Sequence, residues 1–263
     1  KYTPDVSGDE CDVHKIGDDY YCFNGDGEMQ TGWVNMKDSQ NAGSSIADYS
    51  YFGPDGRANK GWQALYPPDE LSGYDGVVEW VYFSSKGEPE VGPAKGEASV
   101  SDFVKINGET YLFNDLGNPV YGLQKVYVGG SSEEYTSYAF GTNRANCMMT
   151  KGEKVRLEEE DGTVSEFYFS NSGQGFTGVR NGYLYYLGKL QKLDSGMKYD
   201  VVSIPDGEGW NNYVVSSSGK VMRSTTVKNA DGIKYTTNSS GILTEIDGEK
   251  AGDGHYEDPV EPA

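Results

Sequence analysis

Tyr20-Tyr21-Cys22-Phe23, then Asn24-Gly25-Asp26-Gly27, then Glu28-Met29-Gln30-Thr31-Gly32-Trp33 is the stretch on which the reading of this chain turns. It sets an aromatic strand, a turn that ends in glycine, and a short strand that closes on Gly-Trp. The same order returns at Tyr49-Ser50-Tyr51-Phe52, Gly53-Pro54-Asp55-Gly56 and Arg57-Ala58-Asn59-Lys60-Gly61-Trp62. Trp80-Val81-Tyr82-Phe83 follows with Gly87 and Gly92, Tyr111-Leu112-Phe113 with Gly117 and Gly122, and Phe167-Tyr168-Phe169 with Gly173 and Gly178. In these five copies one glycine lies four residues after the phenylalanine and another nine, and chance does not fix two spacings five times. Tyr213-Val214-Val215 with Gly219 and Lys234-Tyr235-Thr236-Thr237 with Gly241 are weaker copies. Tyr138-Ala139-Phe140 and Tyr183-Leu184-Tyr185-Tyr186 keep only the aromatic strand, which makes about nine units.

Each unit reads as a β-hairpin, because alternating Tyr and Phe suit a pleated strand and Asn, Asp or Ser before Gly supplies a turn with left-handed backbone. A lone hairpin is marginal in water, so the units must stack and bury their rings against one another. The predicted fold is all-β, an elongated β-solenoid of stacked hairpin repeats. Successive phenylalanines lie 29, 31 and 30 residues apart (52 − 23, 83 − 52, 113 − 83), which leaves room for a connecting loop in each unit. Residues 34–48 and 63–79 read as such surface loops, the second with a stiff corner at Tyr66-Pro67-Pro68. No amphipathic helix is evident: Val155 to Glu160 is too short, and the acidic run Glu158 to Asp161 reads as an exposed turn. The expected organisation is a lead-in at 1–17, well-formed repeats at 18–125, degenerate repeats at 126–250, and an acidic linker or disordered tail at 251–263.

Composition agrees with an array of short strands. The 36 Gly, 21 Tyr, 9 Phe and 4 Trp, with 36% hydrophobic residues overall, mean that rings supply much of the buried surface. A net charge of −19, from 22 basic and 41 acidic residues, repels a phosphate backbone and argues against nucleic-acid binding; it attracts cations, or simply solubilises. Cys11, Cys22 and Cys147 are too few for a disulfide framework and lack zinc spacing; Cys11 and Cys22 form one local bridge, or all three are small half-buried hydrophobes. No apolar run reaches the length of a membrane span, and Lys1 to Glu10 do not read as a signal peptide, so a leader is expected to have been removed.

The pattern Tyr-Tyr-x-Phe-x-x-x-Gly-x-Met-x-Thr-Gly-Trp at 20–33 resembles the cell-wall-binding, choline-binding-type repeat of Gram-positive surface proteins. The stretch VKINGETYLFNDLGNPVYGLQKV at 104–126 is similar to the same repeat and to the repeats of clostridial toxins and glucan-binding proteins. The resemblance covers roughly 18–246, strong in the first half and fading afterwards. It implies a β-solenoid whose ligands sit between consecutive units in cages of aromatic rings. By position it nominates Trp33 and Trp62, with Tyr21, Tyr49, Tyr51, Trp80 and Tyr82 as cage walls, holding quaternary ammonium groups by cation–π attraction or sugars on flat ring faces. Gly-Trp becomes Gly92-Pro93, Gly122-Leu123 and Gly178-Val179 in later units, which removes the completing ring.

Catalysis finds little support. His14 and His255 lie at opposite ends of the sequence, the acidic pairs Asp18-Asp19 and Glu133-Glu134 would point to opposite faces of a strand, and the glycines fall at hairpin turns rather than between a strand and a helix. Asn24-Gly25-Asp26-Gly27 lacks the spacing of a calcium loop. No catalytic residue, metal or cofactor is expected. The expected function is a non-catalytic, secreted module on the cell wall or cell surface, binding a wall polymer, a choline-type group or a glycan, with a further domain fused outside this chain. The alternative is a structural spacer or adhesin that contacts host or neighbouring proteins through the loops.

Overall fold

The computed structural model describes residues 3–8, 10–37, 45–130, 133–194, 196–207 and 209–263. The protein is all-β, made of small antiparallel sheets, and the described helical segments are two short 3-10 turns at Ile46–Asp48 and Val100–Asp102. The chain divides into two compact units, Lys1–Val120 and Tyr121–Ala263.

In the first unit, β1 (Asp12–Ile16) pairs with β2 (Asp19–Phe23), β3 (Gly32–Asn35) with β4 (Tyr49–Phe52), β5 (Gly61–Leu65) with β6 (Glu79–Phe83), and β7 (Val104–Ile106) with β8 (Glu109–Tyr111). The hairpin expected within each copy is therefore cut differently. The ladder joins the Gly-Trp strand of one copy to the aromatic strand of the next, while the Asn24–Gly27 turn and its equivalents carry single bridges, Phe23↔Met29, Phe52↔Ala58 and Phe83↔Pro89. The physical reason is at the second glycine. Gly32 and Gly61 take φ of 80° and 71°, which turns the chain out of the short bridge and starts a new strand. Val34 and Asn35, and Gln63 to Leu65, are thus ladder residues rather than loop, and residues 38–44 of the other predicted loop lie outside the described residues. The lead-in likewise contains β1, and Cys11 is disulfide-bonded to Cys22 with Cα atoms 5.5 Å apart.

The first glycine of each copy is fixed by two constraints together. Gly56 and Gly87 have φ of 76° and 86°, and a Cβ on either would lie 2.1 Å from Met29 Sδ or 2.8 Å from Ala58 Cβ, each six residues past the phenylalanine of the preceding copy. The turn is thus also the surface on which one copy rests on the last. Side chains of the residue after Phe brace it: Asn24 Oδ1 accepts from the Asp26 and Glu28 amides at 3.2 and 2.8 Å, and Asn114 Oδ1 from Leu116 and Asn118 at 3.1 and 2.9 Å. Phe52, Phe83 and Phe113 are each 1% exposed and form the buried spine of the unit.

The second unit keeps the buried phenylalanines, with Phe140, Phe167 and Phe169 fully buried, but pairs its strands more widely. β9 (Gly122–Tyr127) pairs with β10 (Tyr135–Phe140). β11 (Lys154–Glu158), β12 (Val164–Tyr168), β13 (Gly178–Arg180), β14 (Tyr183–Tyr186) and β15 (Lys189–Leu190) form one sheet in the order β11-β12-β15-β14-β13. β16 (Tyr199–Asp206) and β17 (Gly209–Ser216) form a long hairpin, and β18 (Thr226–Lys228), β19 (Lys234–Thr237), β20 (Leu243–Ile246) and β21 (Glu249–Lys250) a closing sheet.

Two expectations differ here. Glu159, within the run read as an exposed turn, is 4% exposed and pairs with Lys189 Nζ at 2.9 Å. The segment read as a linker or disordered tail is hydrogen-bonded along its length. Glu257 O accepts from the Ser203 amide at 2.9 Å, the Val260 amide donates to Gln191 Oε1 at 2.7 Å, and the Ala263 amide donates to Glu159 Oε2 at 2.7 Å. Tyr256 adds apolar contact with the cluster of Val201, Val214, Tyr235 and Leu243. Main-chain bonds to buried side chains hold a segment whose composition gives no sign of order.

Candidate aromatic binding site

The registers Trp33↔Tyr51 and Trp62↔Tyr82 set each tryptophan directly across from a tyrosine. Alternation along β4 and β6 sends Phe52 and Phe83 to the core and leaves Tyr51 and Tyr82 half-buried beside their tryptophans. Ring centroids of Trp33 and Tyr51 are 5.3 Å apart, edge to face, and those of Trp62 and Tyr82 5.2 Å. Each tryptophan then meets the phenylalanine two copies on at 5.8 Å, Phe83 for Trp33 and Phe113 for Trp62.

The two clusters differ at one position, two residues before that phenylalanine. Around Trp62 it is Tyr111, with its ring 5.2 Å from the indole; around Trp33 it is Val81, 1% exposed and part of the core. Trp62, Tyr82 and Tyr111 are therefore three half-buried rings in one group. Such a group attracts a cation through its ring faces, by about 0.5 to 2 kcal/mol per ring according to desolvation. No cation of the protein sits over either indole among the described residues.

Trp33 has a different neighbourhood. Its indole Nε1 donates to the Tyr66 carbonyl at 2.7 Å, which fixes the ring against the loop after β5. A cleft of about 500 Å³ opens beside it, with Trp33, Tyr51, Leu65, Pro67, Asp69 and Glu70 among its lining residues.

The remaining nominated residues stand apart from these groups. Tyr49 is 4% exposed, and burial, then Glu70 and Asp48, push its phenol up. Tyr21 lies opposite His14 and its hydroxyl accepts from Arg57 Nε at 3.2 Å. Trp80 is 47% exposed and lies opposite Ala64. Sequence reasoning passed over Tyr111, although its offset from Phe113 matches that of Tyr21 from Phe23 and marks it as the variable third ring.

Some rings of the second unit lie beside the protein's own cations, as Tyr20 of the first unit does beside Lys15. Lys125 Nζ lies 4.0 Å from the Tyr135 ring centroid and 5.4 Å from that of Tyr127, and the Arg180 guanidinium lies 5.2 Å from Tyr168. Tyr168 in turn clusters with Phe176 and Tyr185 at 5.8 and 5.9 Å. Burial, then the hydrogen bond to Glu261, push the Tyr135 phenol up. A cavity of about 280 Å³ lies beside Tyr135, Thr136, Gln174 and Phe176. Among the described residues no group of three or more His, Cys, Asp or Glu is placed to hold a metal ion, and no helix is long and apolar enough to cross a membrane.

Fold and site together define a hairpin-repeat protein with aromatic clusters between consecutive copies. Comparison with solved structures returns choline-binding proteins and a modular autolysin. The chain is similar to CbpF in complex with ipratropium (TM-score 0.48, 20% identity, 91% of this chain and 73% of that one). It is also similar to choline-binding protein F from Streptococcus pneumoniae with a peptidoglycan analogue (TM-score 0.37, 22% identity, 89% and 79% covered). The modular autolysin LytC of Streptococcus pneumoniae matches with a TM-score of 0.22 and 16% identity over 89% of this chain and 52% of that one. No family model matches the sequence, and no curated protein matches it.

Proposed function

We propose that the protein is a non-catalytic, surface-located binding module that recognises a cell-wall polymer or a choline-type group through aromatic sites between consecutive hairpins, stacked in chain order as a β-solenoid. The observation that carries this reading is the group of Trp62, Tyr82 and Tyr111, three half-buried rings contributed by successive copies, with both tyrosines 5.2 Å from the central indole. A fully packed core would bury such rings, as it does Phe83 and Phe113. Three ring faces in one group suit a quaternary ammonium, which has no N–H to satisfy and gains from π-faces and desolvation. The net charge of −19 adds a long-range attraction for a cationic ligand.

Titration with choline, followed by tryptophan fluorescence, tests this. Saturable quenching that Trp62→Ala abolishes is expected; no response to choline or to purified wall polysaccharide overturns the reading. One observation favours the alternative of an adhesin: the loop after β5 exposes Tyr66 at 65% and Val77 and Val78 at more than 40%, an apolar surface of the sort that contacts proteins.

A further inference from the structure

We propose that the cleft beside Trp33 is a separate subsite for a saccharide that carries a free ammonium group, an amino sugar without its N-acetyl. This rests on the wall-binding reading above and assigns the ligand class of its second site.

At Trp33 the third ring that Tyr111 supplies to Trp62 is replaced by the buried Val81, so a quaternary ammonium meets an incomplete cage. What the cleft offers instead is a platform and two carboxylates. Trp33 is held by its hydrogen bond to Tyr66 O at 2.7 Å, and Pro67 and Pro68 stiffen the strand of loop that carries that carbonyl. A ring immobilised before binding costs little to use, and the flat face of a pyranose is the natural complement of an indole. The volume of about 500 Å³ lies within the range of small-molecule sites and exceeds what a trimethylammonium group fills.

The carboxylates choose among sugars. Asp69 and Glu70 line the cleft, are exposed, and form no ion pair with a basic group among the described residues. An ammonium with three N–H donors satisfies such oxygens by charge-assisted hydrogen bonds; a choline headgroup has no N–H and an N-acetyl group has no charge. A lysine side chain of a protein partner reaches the same carboxylates but leaves the indole face uncovered, which makes it the lesser fit.

The test titrates the full chain with a glucosamine tetramer, its N-acetylated counterpart and tetralysine, by calorimetry at low ionic strength. The glucosamine tetramer is expected to bind about tenfold or more tighter than either, the scale of one or two charge-assisted hydrogen bonds. Asp69→Asn with Glu70→Gln, both exposed and so not expected to affect folding, removes that preference, and Trp33→Ala removes binding. Equal affinity for the N-acetylated tetramer, tetralysine binding as tight as the sugar, no binding, or a preference that survives the double substitution overturns the proposal. Choline titration of the parent chain separates the two readings: a choline response in a parent that shows no preference for the glucosamine tetramer overturns this subsite alone, and absence of both responses overturns the module.

Discussion

The two units both bury phenylalanines and differ in what lies over some of their outward rings. In the first, Phe52, Phe83 and Phe113 are buried and the neighbouring Trp33 and Trp62 keep faces that no internal cation occupies among the described residues. In the second, Phe140, Phe167 and Phe169 are buried as completely, yet Tyr135 and Tyr168 lie under Lys125 and Arg180. Spine and rings are thus separable. Burying a phenylalanine needs no indole beside it, and at Phe140 not even the glycine spacing, whereas the proposed aromatic site also needs a Gly-Trp strand and no lysine or arginine over its rings. Where Gly92-Pro93 replaces Gly-Trp, the proline lacks an amide donor, and the copy forms no ladder strand there; β7 takes its place against β8. That copy still belongs to the first unit; in the second, Gly122-Leu123 and Gly178-Val179 do start ladder strands, β9 and β13, but without the indole.

The largest effects should be those that the units share. Phe83→Ala and Phe169→Ala are each expected to cost about 3 to 5 kcal/mol of stability, measured by denaturant unfolding, because both empty a fully buried site. Similar values in the two units leave the common spine standing; a cost under about 1 kcal/mol in either breaks it. Ligand response should then divide the units. Trp62→Ala is expected to weaken choline about tenfold or more, as loss of the central ring of three requires, and Tyr111→Leu by a few-fold. Tyr168→Leu should leave the choline affinity unchanged, and a loss there as large as at Trp62 would place the principal site in the second unit.

Much of the spine was legible because glycine spacing is a local signal. Gly56 and Gly87 are required both by positive φ and by contact with Met29 and Ala58, so two independent constraints write one residue type at a fixed interval. Ladder partners were not legible in the same way. An aromatic strand such as Tyr49-Ser50-Tyr51-Phe52 suits pairing with the segment before it or after it, and only the φ of Gly32 and Gly61 decides. Of the aromatic clusters, the motif marked Trp33, Tyr51, Trp62 and Tyr82 as residues, but not that Tyr111 comes from two copies beyond Trp62, or Tyr66 from a loop of no fixed length. Least visible was the order of residues 254–263. Their partners Gln191, Ser203 and Asn212 are polar residues buried far away in sequence, and nothing in an acidic, proline-containing stretch announces them.

Uncovering a ring should weaken the contrast between units. Lys125 Nζ lies 4.0 Å from the Tyr135 ring, the place that a ligand ammonium would take in the site proposed above. In a Trp62→Ala background, Lys125→Ala is expected to restore weak choline contact, seen as saturation transfer from tyrosine protons to the choline methyls. The same pair of substitutions without that signal would mean that Tyr127 and Tyr135 are held apart by packing, and that the lysine merely fills leftover space.

The smallest expected effect concerns what else the second unit does with its cations. Glu166 accepts from Lys154 and, at 2.6 Å, from Lys192, and these two hydrogen bonds hold its carboxyl down from 4.5 to about 2. A depressed carboxylate pKa contributes stability that is fully present above the unfolded value and is lost as pH falls through the folded one, so the window runs from about pH 4.5 down to about pH 2. Both lysines are about half exposed, with side-chain exposures of 50% and 51%, so solvent screening keeps the contribution to about 1 kcal/mol or less. Glu166→Gln should therefore lower the unfolding midpoint slightly at pH 7 and converge on the parent at pH 2. A difference that persists undiminished at pH 2 would show that the side chain acts through packing against β15 rather than through its charge, and would remove this pair from the set of internally satisfied cations.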